Sequence, residues 1–293
     1  MVKYEYTNCF LGKAVVLTDG KTELTVTLDV GPRIISLRTY LEKQGRMSNN
    51  IMYEDVPDVV NKDCSSYYGE GKVWHIYGGH RLWLSPEDIT TYYPDSYPVE
   101  FQPIDNGGIF TPRKWDKVEV QPSIKIEFVD EGIKVTHSMT NLGKARKLCL
   151  WALTVMKAGG VMILPLSTED TGLLANRNIV MWSYASLNDF RFYLGDDKAI
   201  LTSVEVEPSP FKFGAYKRDL YATYELDDGD GTVLFSKKVQ GVDGAEYPDY
   251  TCNFESYCTN VIHEIETLSP IRFVETGKTI EHVEIWNLKE NQG

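Results

Sequence analysis

Two short segments of the chain carry side chains able to do chemistry together. The first is Tyr77-Gly78-Gly79-His80-Arg81-Leu82-Trp83-Leu84-Ser85-Pro86-Glu87, with an imidazole, a guanidinium, an indole and a carboxylate behind two adjacent glycines. An imidazole exchanges a proton near neutral pH, a guanidinium offers a fixed fork of donors, and an indole presents a flat apolar face. Those parts suit a polar, ring-shaped ligand such as a sugar. Paired glycines let the backbone take φ > 0 or approach a ligand closely. A glycine turn entering a strand whose Trp83 is simply core accounts for the same letters.

The second segment is His263-Glu264-Ile265-Glu266-Thr267. On a strand, Glu264 and Glu266 share one face about 6.5–7 Å apart, while His263 and Ile265 share the other. Two carboxylates on one face look onto either solvent or a polar cleft, since neither is comfortable in an apolar interior. A solvated edge strand is the plainer alternative.

The elements that must position these groups repeat every two residues rather than every 3.6. Alternation of polar and apolar residues predicts strands over 21–30, 34–38, 118–129, 133–139, 147–156, 202–206, 220–226, 232–238, 262–268 and 281–288. Turn chemistry such as Asp227-Asp228-Gly229-Asp230-Gly231 separates them. The longest helix-like windows, 54–62 and 171–179, are weak. Short strands at regular spacing predict an all-β fold, a large antiparallel β-sandwich. No linker or repeat divides the sequence, so one domain over residues 1–293 is expected.

Bulk properties narrow the partners. The 293 residues carry a formal net charge of -12 without a lysine- or arginine-rich cluster. That excludes nucleic acid and anionic membrane as expected partners. The five cysteines, Cys9, Cys64, Cys149, Cys252 and Cys258, form no Cys-x-x-Cys pair, so neither a metal site nor a disulfide framework is expected. The start, Met1-Val2-Lys3-Tyr4-Glu5-Tyr6, lacks a signal pattern, and no apolar run is long enough to span a bilayer. A reduced, cytoplasmic protein without a cofactor is the expectation, and the oligomeric state is left open.

Several segments together resemble the galactose mutarotase-like superfamily, the aldose 1-epimerases and their relatives. Gly31-Pro32-Arg33-Ile34-Ile35-Ser36-Leu37 is similar to its early glycine-led strand. Ile76-Tyr77-Gly78-Gly79 is similar to its Leu-His-Gly-Gly. Tyr247-Pro248-Asp249 and Ile265-Glu266-Thr267-Leu268-Ser269-Pro270 resemble the late segment with the catalytic glutamate. The ending from Gly277 through Glu281-His282-Val283-Glu284-Ile285-Trp286 resembles its closing turn and strand. The resemblance implies a β supersandwich and chemistry on a sugar. The nearest likeness is to a branch sharing the Gly-Gly-His-Arg-Leu-Trp and Glu-x-Glu-Thr-Leu-x-Pro patterns. Two family histidines are replaced: Tyr77 stands at one position, and Leu150-Trp151-Ala152-Leu153-Thr154 holds no histidine at the other. Those departures argue against ordinary mutarotation.

Anomer interconversion needs a base for the anomeric hydroxyl and an acid for the ring oxygen. Glu266 is the candidate base, by strand position and by the resemblance, with Glu264 beside it able to raise its pKa by like-charge repulsion. His80 is the candidate acid, and His75 a second choice; His137 and His282 sit in regular strands and read as structural. Arg81, Trp83, Tyr77, Glu264, Trp151 and Lys237 are the candidate substrate-binding residues. Trp74 and Trp182 read as core. Lys212 in Phe211-Lys212-Phe213 reads as a solvated strand face, and Asn253 and Glu255 as lesser polar additions. Three functions are compatible: a cofactor-free saccharide epimerase, a saccharide-binding protein without catalysis, and, ranked last, a carbohydrate-cleaving enzyme using Tyr77 with Arg81.

Overall fold

The computed structural model describes residues 2–170, 172, 175–204 and 209–291. Among these, two large antiparallel sheets face each other. The first runs Lys3–Cys9, Gly12–Thr18, Thr22–Thr27, Ile34–Leu41, Gly79–Ser85, Arg146–Lys157, Ile262–Leu268, Phe254–Cys258, Phe211–Ala215 and Ile179–Met181. Arg46–Met47 and Arg272–Val274 attach to it at Ile34–Leu41 and Arg146–Lys157.

The second sheet runs Phe192–Leu194, Lys198–Thr202, Val161–Pro165, Asp219–Asp227, Thr232–Gln240, Thr279–Asn291, Gly132–Asn141, Val120–Val129, Gly107–Pro112 and Val99–Ile104. A small hairpin, Asn61–Asp63 with Val73–His75, lies outside both. The large antiparallel sandwich expected from the alternating pattern is therefore present. Leu17, Leu24, Ile34 and Leu82 of one sheet belong to the same buried cluster as Ile124, Val135, Phe235 and Trp286 of the other.

The expected strands recur with ends shifted by a few residues, as at Gly132–Asn141 and Arg146–Lys157. Of the strand expected over 202–206, residues 205 and 206 lie outside the described residues, and Thr202 closes the strand Lys198–Thr202. The helix-like window 54–62 is a turn leading into Asn61–Asp63. Asp55 holds that turn by accepting the amides of Val59 and Val60, a side-chain bond that competes with helix, and Pro57 follows close behind. Residues 171, 173 and 174 of the other window lie outside the described residues.

Candidate functional site

Five adjacent strands of the first sheet build a continuous row of side chains. Arg81 lies opposite Leu153, Leu153 opposite Glu266, Glu266 opposite Glu255 and Glu255 opposite Gly214. Neighbouring rows add Trp83 opposite Trp151, and Glu264 opposite Tyr257, itself opposite Lys212. The period of two puts all of these on the face turned away from the second sheet. That face is not open to solvent everywhere. Segments before Gly79 and around Trp182 rise beside it and enclose a cavity of about 400 Å³.

Arg81, Trp83, Trp151, Lys212 and Glu264 line this cavity, as do Trp182 and Tyr184. Trp74, Trp83 and Tyr92 pack ring against ring at centroid distances of 5.0–5.2 Å, and Trp151 meets Trp83 at 5.6 Å. The Arg81 guanidinium lies 4.3 Å over the Trp83 ring and donates to Glu264 Oε1 at 3.0 Å. Its Nε and Nη1 have no hydrogen-bond partner.

Glu266 does not line the cavity; it lies fully buried behind Trp151 and Lys212, which do. Its Oε2 accepts from Trp151 Nε1 at 2.8 Å and from Lys212 Nζ at 3.0 Å, whereas Oε1 has no partner. Lys212 Nζ also lies 2.7 Å from Glu255 Oε2 and 4.8 Å from the centroids of both the Trp151 and Trp182 rings.

Burial and charge set the protonation of the site. Burial pulls the Lys212 ammonium down, but Glu266 and Glu255 outweigh it, so its pKa lies above the usual lysine value. Burial pushes Glu264 up, against the pull of Arg81 and with the repulsion of Glu266. Glu255 is pushed well above the carboxylate range by burial, only partly countered by Lys212.

The candidates from sequence are thus divided. The structure brings Arg81, Trp83, Glu264, Trp151 and Glu266 together. It does not bring His80 to them, and the expectation that His80 serves this cleft as its acid is corrected. His80 is adjacent to Arg81 on a strand, so it points to the opposite face, between the sheets. There it meets Thr154 Oγ1 at 2.8 Å, His137 Nε2 at 2.6 Å and the Trp286 ring at 4.7 Å. Burial holds its pKa well below the usual histidine value, so it is a neutral core residue.

Lys237 is corrected in the same way. It is fully buried between the sheets, donating to Glu284 Oε1 at 2.8 Å and to the Ile265 carbonyl at 2.9 Å. Tyr77 stands outside the cavity, stacked on His75 and bonded through its hydroxyl to Ser96 Oγ at 2.7 Å. His75 itself pairs with Asp58 on the outer surface.

The glycine pair also serves packing rather than a ligand. A Cβ on Gly78 would lie 2.0 Å from the Tyr53 carbonyl oxygen, and one on Gly79 would lie 2.3 Å from that of Ile34.

Lys212, expected on a solvated face, and Trp182, expected in the core, instead border the cavity; Trp74 is a core residue, as expected, and borders the cavity as well. The signal for Lys212 was its place between Phe211 and Phe213, which fixes it on the face opposite those two core rings. Seeing a cavity there also required knowing that Glu255 and Glu266 sit on neighbouring strands.

Among the described residues, His80, His137 and Glu284 form one group with metal-ligand character, their ligand atoms within 4.8 Å of one another. Each is already bonded within the protein. Lys237 compensates Glu284, and His137 Nδ1 donates to the His282 carbonyl at 3.0 Å. A divalent ion there would add buried charge beside an ammonium. A larger and more open groove of about 910 Å³ runs past Arg38, Asn49, Lys157 and Asp227, and holds none of the candidate residues. Among the described residues no helix is long and apolar enough to cross a membrane.

With this geometry in place, comparison with known proteins identifies the fold. No family profile matches the chain, and no curated protein does. Solved structures do. A galactose mutarotase-like protein from Clostridium acetobutylicum superposes with a TM-score of 0.59 at 11% identity, covering 99% of each chain. Another from Lactobacillus casei gives 0.56 at 9% identity, covering 94% of this chain and all of that one. An Escherichia coli K12 protein provisionally assigned as an aldose 1-epimerase gives 0.52 at 10% identity, covering 99% and 100%. The chain therefore has the galactose mutarotase-like fold. At these identities the likeness defines the scaffold and leaves the chemistry to the site.

Proposed function

We propose that this protein binds a saccharide in the cavity beside Arg81, Trp83, Trp151 and Lys212. The observation that carries the reading is the pairing of aromatic walls with buried, partly unpaired charged groups in one enclosed space of about 400 Å³. Indole faces pack on the apolar side of a sugar ring, while a few fixed donors and acceptors orient its hydroxyls. Arg81 and Lys212 supply donors, and Glu264 supplies an acceptor. The sugar-related fold neighbours support the same ligand class.

Calorimetric titration with a panel of neutral and acidic mono- and oligosaccharides tests it. The expected result is saturable binding that weakens at least tenfold in Trp182→Ala, a variant at the half-buried rim. No binding across the panel, or full affinity in Trp182→Ala and Tyr184→Ala together, refutes it.

A second reading, proton transfer at the anomeric centre, is favoured by the unpartnered Oε1 of Glu266, which is buried directly behind the lining residues Trp151 and Lys212. Under that reading Glu266→Gln abolishes any acceleration of anomer exchange followed by polarimetry. A wild-type protein that accelerates exchange for no aldose or uronate leaves binding alone.

A further inference from the structure

The charged groups at and directly beneath the cavity carry more negative charge than their cations balance. Arg81 and Glu264 form one pair. The remaining buried groups are a single ammonium, Lys212, with two carboxyls, Glu255 and Glu266, both within 3.0 Å of its nitrogen. Glu255 and Glu266 lie directly opposite each other across an antiparallel strand pair and are each fully buried. Like charges in that position repel, and an uncompensated buried carboxylate is too costly to persist. Both oxygens of Glu255 and Oε1 of Glu266 also have no hydrogen-bond partner, the 2.7 Å approach of Lys212 to Glu255 Oε2 being an ion pair only. Two ionised carboxylates would leave three acceptor oxygens without a hydrogen bond on directly opposed residues. One proton balances the charge to zero and, by giving the pair a donor, reduces the number of orphaned acceptors.

We propose that Glu255 is held as a neutral carboxylic acid beneath the cavity and is the proton store for Glu266. Glu266 is assigned the ionised role because Trp151 Nε1 and Lys212 Nζ both donate to its Oε2, whereas Glu255 has only Lys212. The upward displacement of Glu255 by burial agrees with this assignment. A proton passing from the Glu255 hydroxyl to Glu266 leaves Glu255 ionised against Lys212, so the pair exchanges places without change in total charge. Neither Glu255 nor Glu266 lines the cavity; both lie behind Lys212, and Glu255 acts through Glu266, as a positioning residue. This supplies the site with an acid that needs no histidine. That use rests on the saccharide reading, whereas the proton itself is present without a ligand.

Infrared spectroscopy of the ligand-free protein near neutral pH reads this directly, because a protonated carboxyl absorbs apart from a carboxylate. The wild-type protein is expected to show a buried protonated-carboxyl band with slow deuterium shift. Glu255→Gln is expected to lose the band and remain folded, since glutamine has the shape and charge of the neutral acid. Glu264→Gln is expected to retain it. Absence of the band in the wild-type protein overturns the proposal, as does its survival in Glu255→Gln. Failure of Glu255→Gln to fold also counts against a neutral Glu255. A positive spectrum with no saccharide binding would sink the ligand reading alone.

Discussion

Replacing Arg81 by alanine isolates the energetics of the cavity. The Arg81 and Glu264 side chains are 3% and 10% exposed, so their pair is a buried one. Removing one partner from such a pair costs about 3–5 kcal/mol, because the other charge is left without compensation. Loss of the guanidinium above Trp83 and Trp74 adds about 1 kcal/mol. The sum is a large part of the roughly 5–15 kcal/mol that holds a folded protein together.

The penalty should fall in Arg81→Ala/Glu264→Gln, by about 1–3 kcal/mol, since an amide needs no counter-charge. It should also depend on pH. Burial already raises the Glu264 carboxyl, and without Arg81 it rises further. A carboxyl whose folded pKa exceeds its unfolded value favours the native state only while protonated, so the cost of losing Arg81 is greatest at neutral pH and above. It shrinks as pH falls toward about 4.3. Urea unfolding of the wild type and both variants at two pH values measures these differences. A penalty below about 1 kcal/mol at neutral pH, or one that grows with acid, refutes a buried and mutually compensating pair.

Acid should destabilise the wild-type protein through its interior histidines. His263 and His282 are pushed down to about 3 by burial. A histidine with a lowered folded pKa contributes fully above its unfolded value near 6.5 and loses that contribution as pH falls toward 3. Thermal midpoints should therefore drop steadily from about pH 6.5 downward, and a flat profile to pH 4.5 would show that these imidazoles are not buried neutral. Gly79→Ala places a Cβ 2.3 Å from the Ile34 carbonyl oxygen at a φ of +63 and should cost about 2–4 kcal/mol. Gly20→Ala, with φ +95 and nothing within 4 Å, should cost only its backbone strain, and equal losses at the two sites would contradict the contact.

The strands and their sandwich arrangement were legible because polar and apolar residues alternate so regularly. The same parity placed Glu264 and Glu266 on one face. On the strand Gly79–Ser85 it separates His80 from Arg81. What parity cannot supply is the partner on the next strand. Lys237 and Glu284 come together because Thr232–Gln240 lies beside Thr279–Asn291, and Lys212 meets Glu255 and Glu266 because its strand, Phe211–Ala215, pairs with the distant hairpin Phe254–Cys258 and Ile262–Leu268.

A lysine on a strand read alone is most economically solvated, since burial without a partner is prohibitive. Here both faces of the first sheet are covered, one by the second sheet and one by the aromatic walls of the cavity. Polarity therefore stops reporting exposure on either face. The difference between the faces lies in how completely their charges are matched. Between the sheets, Lys237, Glu284, His80, His137 and His282 bond to one another or to neighbouring backbone and hydroxyl groups, and the one imidazole nitrogen left without a partner, His263 Nδ1, is sealed in the core. On the cavity face Arg81, Glu255 and Glu266 retain unpaired atoms at or directly behind the cavity wall, so that face keeps bonding capacity within reach of a ligand or a proton.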